Sequence, residues 1–77
     1  MSDVWRLDGT PLREGQQVLL TSNDTIGMIL EVNPHPHEPD VPVAHVYFKN
    51  PRKHVHLVMR PGKYRYSWNA KIWTSLS

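Results

Sequence analysis

Val43-Ala44-His45-Val46-Tyr47-Phe48-Lys49, then Asn50-Pro51-Arg52-Lys53, then His54-Val55-His56-Leu57-Val58-Met59 is the stretch that decides the fold. Both arms alternate with a period of two, and the Asn-Pro segment between them is a turn signal. Read as a hairpin with a four-residue turn at 50–53, Lys49 faces His54, Tyr47 faces His56 and His45 faces Val58. On the opposite face Phe48, Val46 and Ala44 meet Val55, Leu57 and Met59. One face is therefore apolar and belongs to a core. The other carries His45, Tyr47, Lys49, His54 and His56, with Val58 as its only aliphatic member. A slip of one residue would exchange the two faces, so the assignment depends on where the turn lies.

The rest of the chain extends the pattern outward. Thr25 to Val32 alternates, with Ile26, Met28, Leu30 and Val32 on one face and Gly27, Ile29 and Glu31 on the other. Before it, Glu14-Gly15 launches a strand through Leu20, and Thr21 to Asp24 is a polar turn. Val4 to Leu7 ends at Asp8-Gly9-Thr10-Pro11, another turn signal. Asn33 to Pro42 has four prolines in ten residues and cannot supply a continuous ladder of donors, so it reads as a stiff surface loop. After the hairpin, Arg60-Pro61-Gly62 turns the chain. Lys63 to Trp68 then alternates Tyr64, Tyr66 and Trp68 against Lys63, Arg65 and Ser67. Asn69 to Ser77 is either a last short strand or a helical turn. No window sustains apolar residues at helical spacing. The expectation is one all-β domain over residues 1–77, with the proline-rich loop at 33–42.

Leu12 to Phe48 resembles the start of a small SH3-like barrel of the KOW or Tudor kind. The residues that carry the likeness are Glu14-Gly15-Gln16-Gln17-Val18, Ile26-Gly27-Met28-Ile29-Leu30-Glu31-Val32, and Val43-Ala44-His45-Val46-Tyr47-Phe48. In that family a turn precedes the first strand, a glycine opens the second, and a variable loop leads to the third. Gly27 falls at the position of that glycine, where a missing side chain permits close backbone approach or a bulge. The resemblance implies a barrel of five or six short antiparallel strands. It implies little about a ligand, because Thr21 to Thr25 contains neither the glycines of KOW motifs nor the aromatics of a Tudor cage, and such barrels host unrelated roles.

Size and composition exclude most chemistry. Seventy-seven residues allow a single modest core, since chains near this length bury only about 60% of their unfolded surface. Without cysteine, disulfide scaffolds, thiolate metal sites and cysteine nucleophiles are excluded. No nucleophile elbow, phosphate loop or HExxH motif is present. Glu38 and Asp40 are paired carboxylates only in a proline-rich loop with no evident pocket. The reading is that the protein is not an enzyme and takes no cofactor. No apolar run approaches the ~20 residues of a membrane span, and Met1 to Thr10 lacks a signal peptide's apolar region. The default expectation is a cytoplasmic protein with no membrane partner.

The net charge of +2 hides an asymmetry. Residues 1–40 hold all seven acids against two bases, a sum of −5; residues 41–77 hold seven bases and no acid, a sum of +7. The bases Lys49, Arg52, Lys53, Arg60, Lys63 and Arg65, with Tyr47, His45, His54 and His56, form the candidate binding surface. Two partners suit it. An acidic protein would meet the cations, with exposed aromatics as anchors; open strand edges also allow a homo-oligomer. RNA or single-stranded DNA would meet the same cations and stack on Tyr64, Tyr66 and Trp68. The discriminating feature is whether those three rings are exposed or belong to the core. Histidines on this surface would make contacts pH-sensitive, because histidine gains charge as pH falls toward 6.

A remoter candidate is a metal site. His54 and His56 share a face with Cα atoms roughly 6.5–7 Å apart. In the four-residue-turn register His45 lies diagonal to His56, so three imidazoles are candidate zinc ligands. His35, His37 and Glu38 are a weaker set. The plainer alternative is that all of these are polar residues on a solvated face.

Overall fold

In a computed structural model the protein is described over residues 5–49 and 52–76. The alternating stretches become strands, in the order β1 (Trp5–Leu7), β2 (Thr10–Leu12), β3 (Gln17–Leu20), β4 (Thr25–Pro34), β5 (Pro42–Lys49), β6 (Arg52–Val58), β7 (Tyr64–Ser67) and β8 (Ile72–Ser75). β1 and β2 form a two-stranded hairpin. The other six make one sheet in the order β6-β5-β4-β3-β8-β7. The described chain is thus all-β. Eight strands replace the expected five or six, and the sheet is open, with β6 and β7 at its ends. One pair departs from the antiparallel expectation: β8 runs parallel to β3, with Gln17 opposite Ile72 and Leu19 opposite Thr74. No helix among the described residues is long and apolar enough to cross a membrane.

The central hairpin keeps the expected faces in a different register. Lys49 pairs with Arg52, Tyr47 with His54, His45 with His56 and Val43 with Val58. The connection is therefore two residues long, not four. Asn50 and Pro51, which make it, lie outside the described residues. The partners move by two positions, and an even shift leaves every side chain on its own face. Ala44, Val46 and Phe48 are fully buried, and Val55 and Leu57 pack half-buried beside them. Met59, just past β6, is also buried, and its N–H donates to the Pro42 carbonyl at 2.9 Å.

β4 gives the two faces of Thr25 to Val32 their direction and moves Val32 off the face it was expected to share with Ile26, Met28 and Leu30. Gly27 and Ile29 point into the core opposite Phe48 and Val46, while Ile26 and Met28 face out. The ladder with β5 then shifts register between Ile29 and Glu31. This bulge leaves Leu30 and Glu31 both exposed and returns Val32 to the core side, opposite Ala44. The proline-rich loop is shorter than its composition suggested. Pro34 and Pro42 pair across the ends of β4 and β5, the His35 N–H donates to the Val41 carbonyl at 2.9 Å just beyond them, and the loop proper covers 35–41.

Both ends of the chain close the core. Leu7 and Leu12 reach it from the β1–β2 hairpin, whose tight turn places Asp8 and Gly9 at φ of 53° and 82°. Positive φ at both turn positions is the type I′ geometry that Asp-Gly favours. Trp73 of β8 is buried against Tyr66, ring centroids 5.0 Å apart, and its indole N–H donates to Gln16 Oε1 at 2.9 Å. That bond satisfies the one polar atom the buried ring carries. Tyr64 and Tyr66 of β7 are half-buried against the same core.

Gly27 is held to glycine by contact. A Cβ there would lie 2.6 Å from Val46 Cγ1 and 2.8 Å from the Phe48 ring. Gly27→Ala should therefore lower stability by about 1–3 kcal/mol through overpacking, whereas Met28→Thr on the exposed neighbour should stay within about 0.5 kcal/mol. Urea unfolding of both variants checks this; an unchanged midpoint for Gly27→Ala would show that the Phe48 side of the core yields freely.

Candidate functional site

The outer face of β4, β5 and β6 is built in rows across the three strands. Met28, Tyr47 and His54 make one row, and Glu31, His45 and His56 the next. The observed register brings the three imidazoles closer than the four-residue turn would. His45 stacks on His56 with ring centroids 4.7 Å apart and an interplanar angle of 27°. His45 Nε2 and His54 Nδ1 are 3.0 Å apart and share a hydrogen bond. The Tyr47 and His54 rings lie 4.9 Å apart. Four rings of the predicted surface thus form one continuous patch, with Lys49 and Arg52 paired at its end.

The patch is not arranged as a metal centre. Among the described residues no group of three or more His, Cys, Asp or Glu is placed to hold an ion. The nitrogens of His45 and His54 that face each other share one proton, so both cannot offer lone pairs at once. The weaker set is occupied differently. His35 Nδ1 accepts the backbone N–H groups of His37 at 3.0 Å and Glu38 at 3.2 Å, folding the loop back on itself. Glu38 is gripped by Arg60, with Oε1 2.6 Å from Nη2 and Oε2 3.1 Å from Nη1. Its carboxylate is committed to that pair and not to Asp40.

The other predicted cations are dispersed. Arg60 spends its charge on Glu38. Lys53 lies on the inner side of β6, its ammonium 5.7 Å from the centroid of the Phe48 ring it shelters. Lys63 precedes β7, and Arg65 of β7 is opposite Thr74 on the far edge of the sheet, five strands from β6. The structure therefore gathers His45, Tyr47, Lys49, Arg52, His54 and His56, sets Lys53 at their border, and separates Arg60, Lys63 and Arg65 from them. Of the Tyr64, Tyr66 and Trp68 stripe, only Trp68 is exposed, at 67%, with its ring edge-on to Tyr66 at 4.9 Å. Burial pushes the Tyr64 hydroxyl above its ordinary pKa.

Two features were not singled out from the sequence. The first is apolar: Ile26, Met28 and Leu30 are 55%, 43% and 37% exposed on the outer face beside Tyr47. Their alternation was legible, but their direction was not, because the Gly27–Phe48 contact that turns them outward spans two strands. The second is an open cleft where Asp8 and Thr10 approach Tyr64, Arg65 and Leu76. It joins the two ends of the chain, and no local pattern announces it.

Arg60 holds the Glu38 carboxyl below the usual carboxylate range, first through its hydrogen bonds and then through its charge. A depressed folded-state value means the pair supports the fold above the ordinary carboxylate pKa. That support is lost as pH falls through the lowered value. An NMR titration of the Glu38 side-chain carbon should show this low midpoint, and Arg60→Gln should return it toward the ordinary value. A midpoint indifferent to Arg60→Gln would mean the pair does not form in solution.

Compared with protein-family models, curated proteins and solved structures, the chain matches none.

Proposed function

We propose that this protein is a non-catalytic binding module whose outer β4–β5–β6 face docks a partner protein carrying both apolar and acidic groups. The observation that supports it is the adjacency of Ile26, Met28 and Leu30, all exposed, to the Tyr47–His54–His45–His56 patch and the Lys49–Arg52 pair. Contiguous exposed apolar side chains bordered by polar ones mark interaction sites more than solvated faces. Aromatic rings and arginine are the residue types that carry interface energy. Glu31 is the acid on this face, in the row of His45 and His56. The cations at the hairpin end therefore select for carboxylates on the partner.

The nucleic-acid reading draws on the same cations and loses part of its stacking platform, since Tyr64 and Tyr66 are half-buried against the core. Trp68 with Lys63 and Arg65 remains as its support. An SH3-like kinship is part of the proposal too. It rests on the meander β3-β4-β5-β6 and on Gly27 opposite Phe48, in a sheet that stays open.

Affinity purification from the native source, with and without nuclease, separates the two partners. The expected outcome is a protein captured in both arms. It should be lost with Lys49→Glu, Arg52→Glu and Lys53→Glu together and with Met28→Glu alone. All four residues are exposed, so the fold should persist. Capture abolished by nuclease would replace this reading with the nucleic-acid one. Capture indifferent to all four substitutions would place the site elsewhere.

A further inference from the structure

β6 ends the sheet, and among the described residues no strand lies beside its outer edge. In an antiparallel ladder every second residue turns its N–H and C=O away from its partner. For β6 those groups have no backbone partner among the described residues before Val58, whose carbonyl accepts the Arg60 N–H at 3.2 Å. Seven residues of open edge are enough to template another strand. The side chains say which strand. On the inner side Val55 and Leu57 are half-buried, covered by β5 and the core but not from the edge side. On the outer side stand Arg52, His54 and His56, and β6 contains no acid.

Resting on the outer-face reading above, we propose that β6 takes up an extended acidic segment of the partner as an additional strand. The segment alternates: apolar side chains go beside Val55 and Leu57, and carboxylates beside Arg52, His54 and His56. Main-chain hydrogen bonds supply attachment, and alternate side chains supply selection. The same charges argue against a second copy as occupant. The other sheet end, β7, carries Arg65 and follows Lys63, so joining copies edge to edge sets cationic strands against each other. β7 is also the poorer template, with four residues against seven.

The test uses the whole protein and three capped peptides: acetyl-(Glu-Val)4-amide, acetyl-(Lys-Val)4-amide, and the Glu-Val peptide N-methylated at alternate residues. Amide hydrogen exchange and NMR titration read the site. The acidic peptide should slow exchange within 52–58 and leave 64–67 unchanged. It should bind about ten-fold or more tightly than the lysine peptide, with the preference shrinking as salt rises. N-methylation should remove binding, and Arg52→Glu with Lys53→Glu should reverse the peptide preference. Binding that leaves the 52–58 amides at their free rate overturns strand addition while the outer-face reading stands. Equal binding of both charged peptides, or none at millimolar concentration, also overturns it. So does concentration-dependent protection of 52–58 in the protein alone, which would assign the edge to a second copy.

Discussion

Phe48 lies on the bare Cα of Gly27, and much of the architecture follows from that contact. The ring can approach β4 only because position 27 has no side chain to meet it. Once it does, the parity of both strands is set. Val46 and Ala44 follow Phe48 inward on β5; Ile29 follows Gly27 inward on β4. The neighbouring positions have no choice but the opposite face. Ile26, Met28 and Leu30 are therefore put in water by a packing constraint on the other side of the strand. The apolar part of the candidate site is thus a by-product of how the core closes.

The hairpin faces were legible because a strand has a period of two and the apolar set at 44, 46 and 48 is unbroken. The pairing was not, because turn length decides it: Asn50-Pro51-Arg52-Lys53 reads as a four-residue turn, whereas Lys49 pairs with Arg52 and leaves two residues between the strands. The two differ by an even number, so the faces survived while every cross-strand neighbour changed. That difference converts His45 from a diagonal neighbour of His56 into the common neighbour of His54 and His56. On β4 the alternation was legible and the direction was not. Its four alternating aliphatics outnumber the one, Ile29, on the other face, so a count of hydrophobic residues points away from the side that the Gly27–Phe48 contact turns inward. The bulge after Ile29 breaks the alternation as well, which is why Val32 parts company with Leu30.

Charge asymmetry along the chain did not translate into one basic surface. Among the C-terminal cations, Arg60 is neutralised by Glu38 from the acidic half, Lys53 shelters an aromatic ring, and Lys63 and Arg65 belong to the far side of the sheet. Sequence order counts charges; only topology says which of them see the same partner. The tyrosines of β7 illustrate the same limit. Alternation put Tyr64, Tyr66 and Trp68 on one side, but the strand ends at Ser67. The first two rings pack on the core, and the third passes into the turn and into solvent.

The parallel pairing of β3 with β8 has a consequence for how the molecule is made. Gln17 waits for Ile72, and Gln16 waits for the indole of Trp73, across more than fifty intervening residues. Contacts of such long range close late, because the intervening loop must be ordered before they return anything. During synthesis the β3–β6 meander is complete while β8 is still to come. Until it arrives, the core lacks its largest side chain and one flank of Val18 is bare. The growing chain therefore carries an unfinished hydrophobic layer from the completion of β6 until β8 emerges, and the arrival of Trp73 closes it.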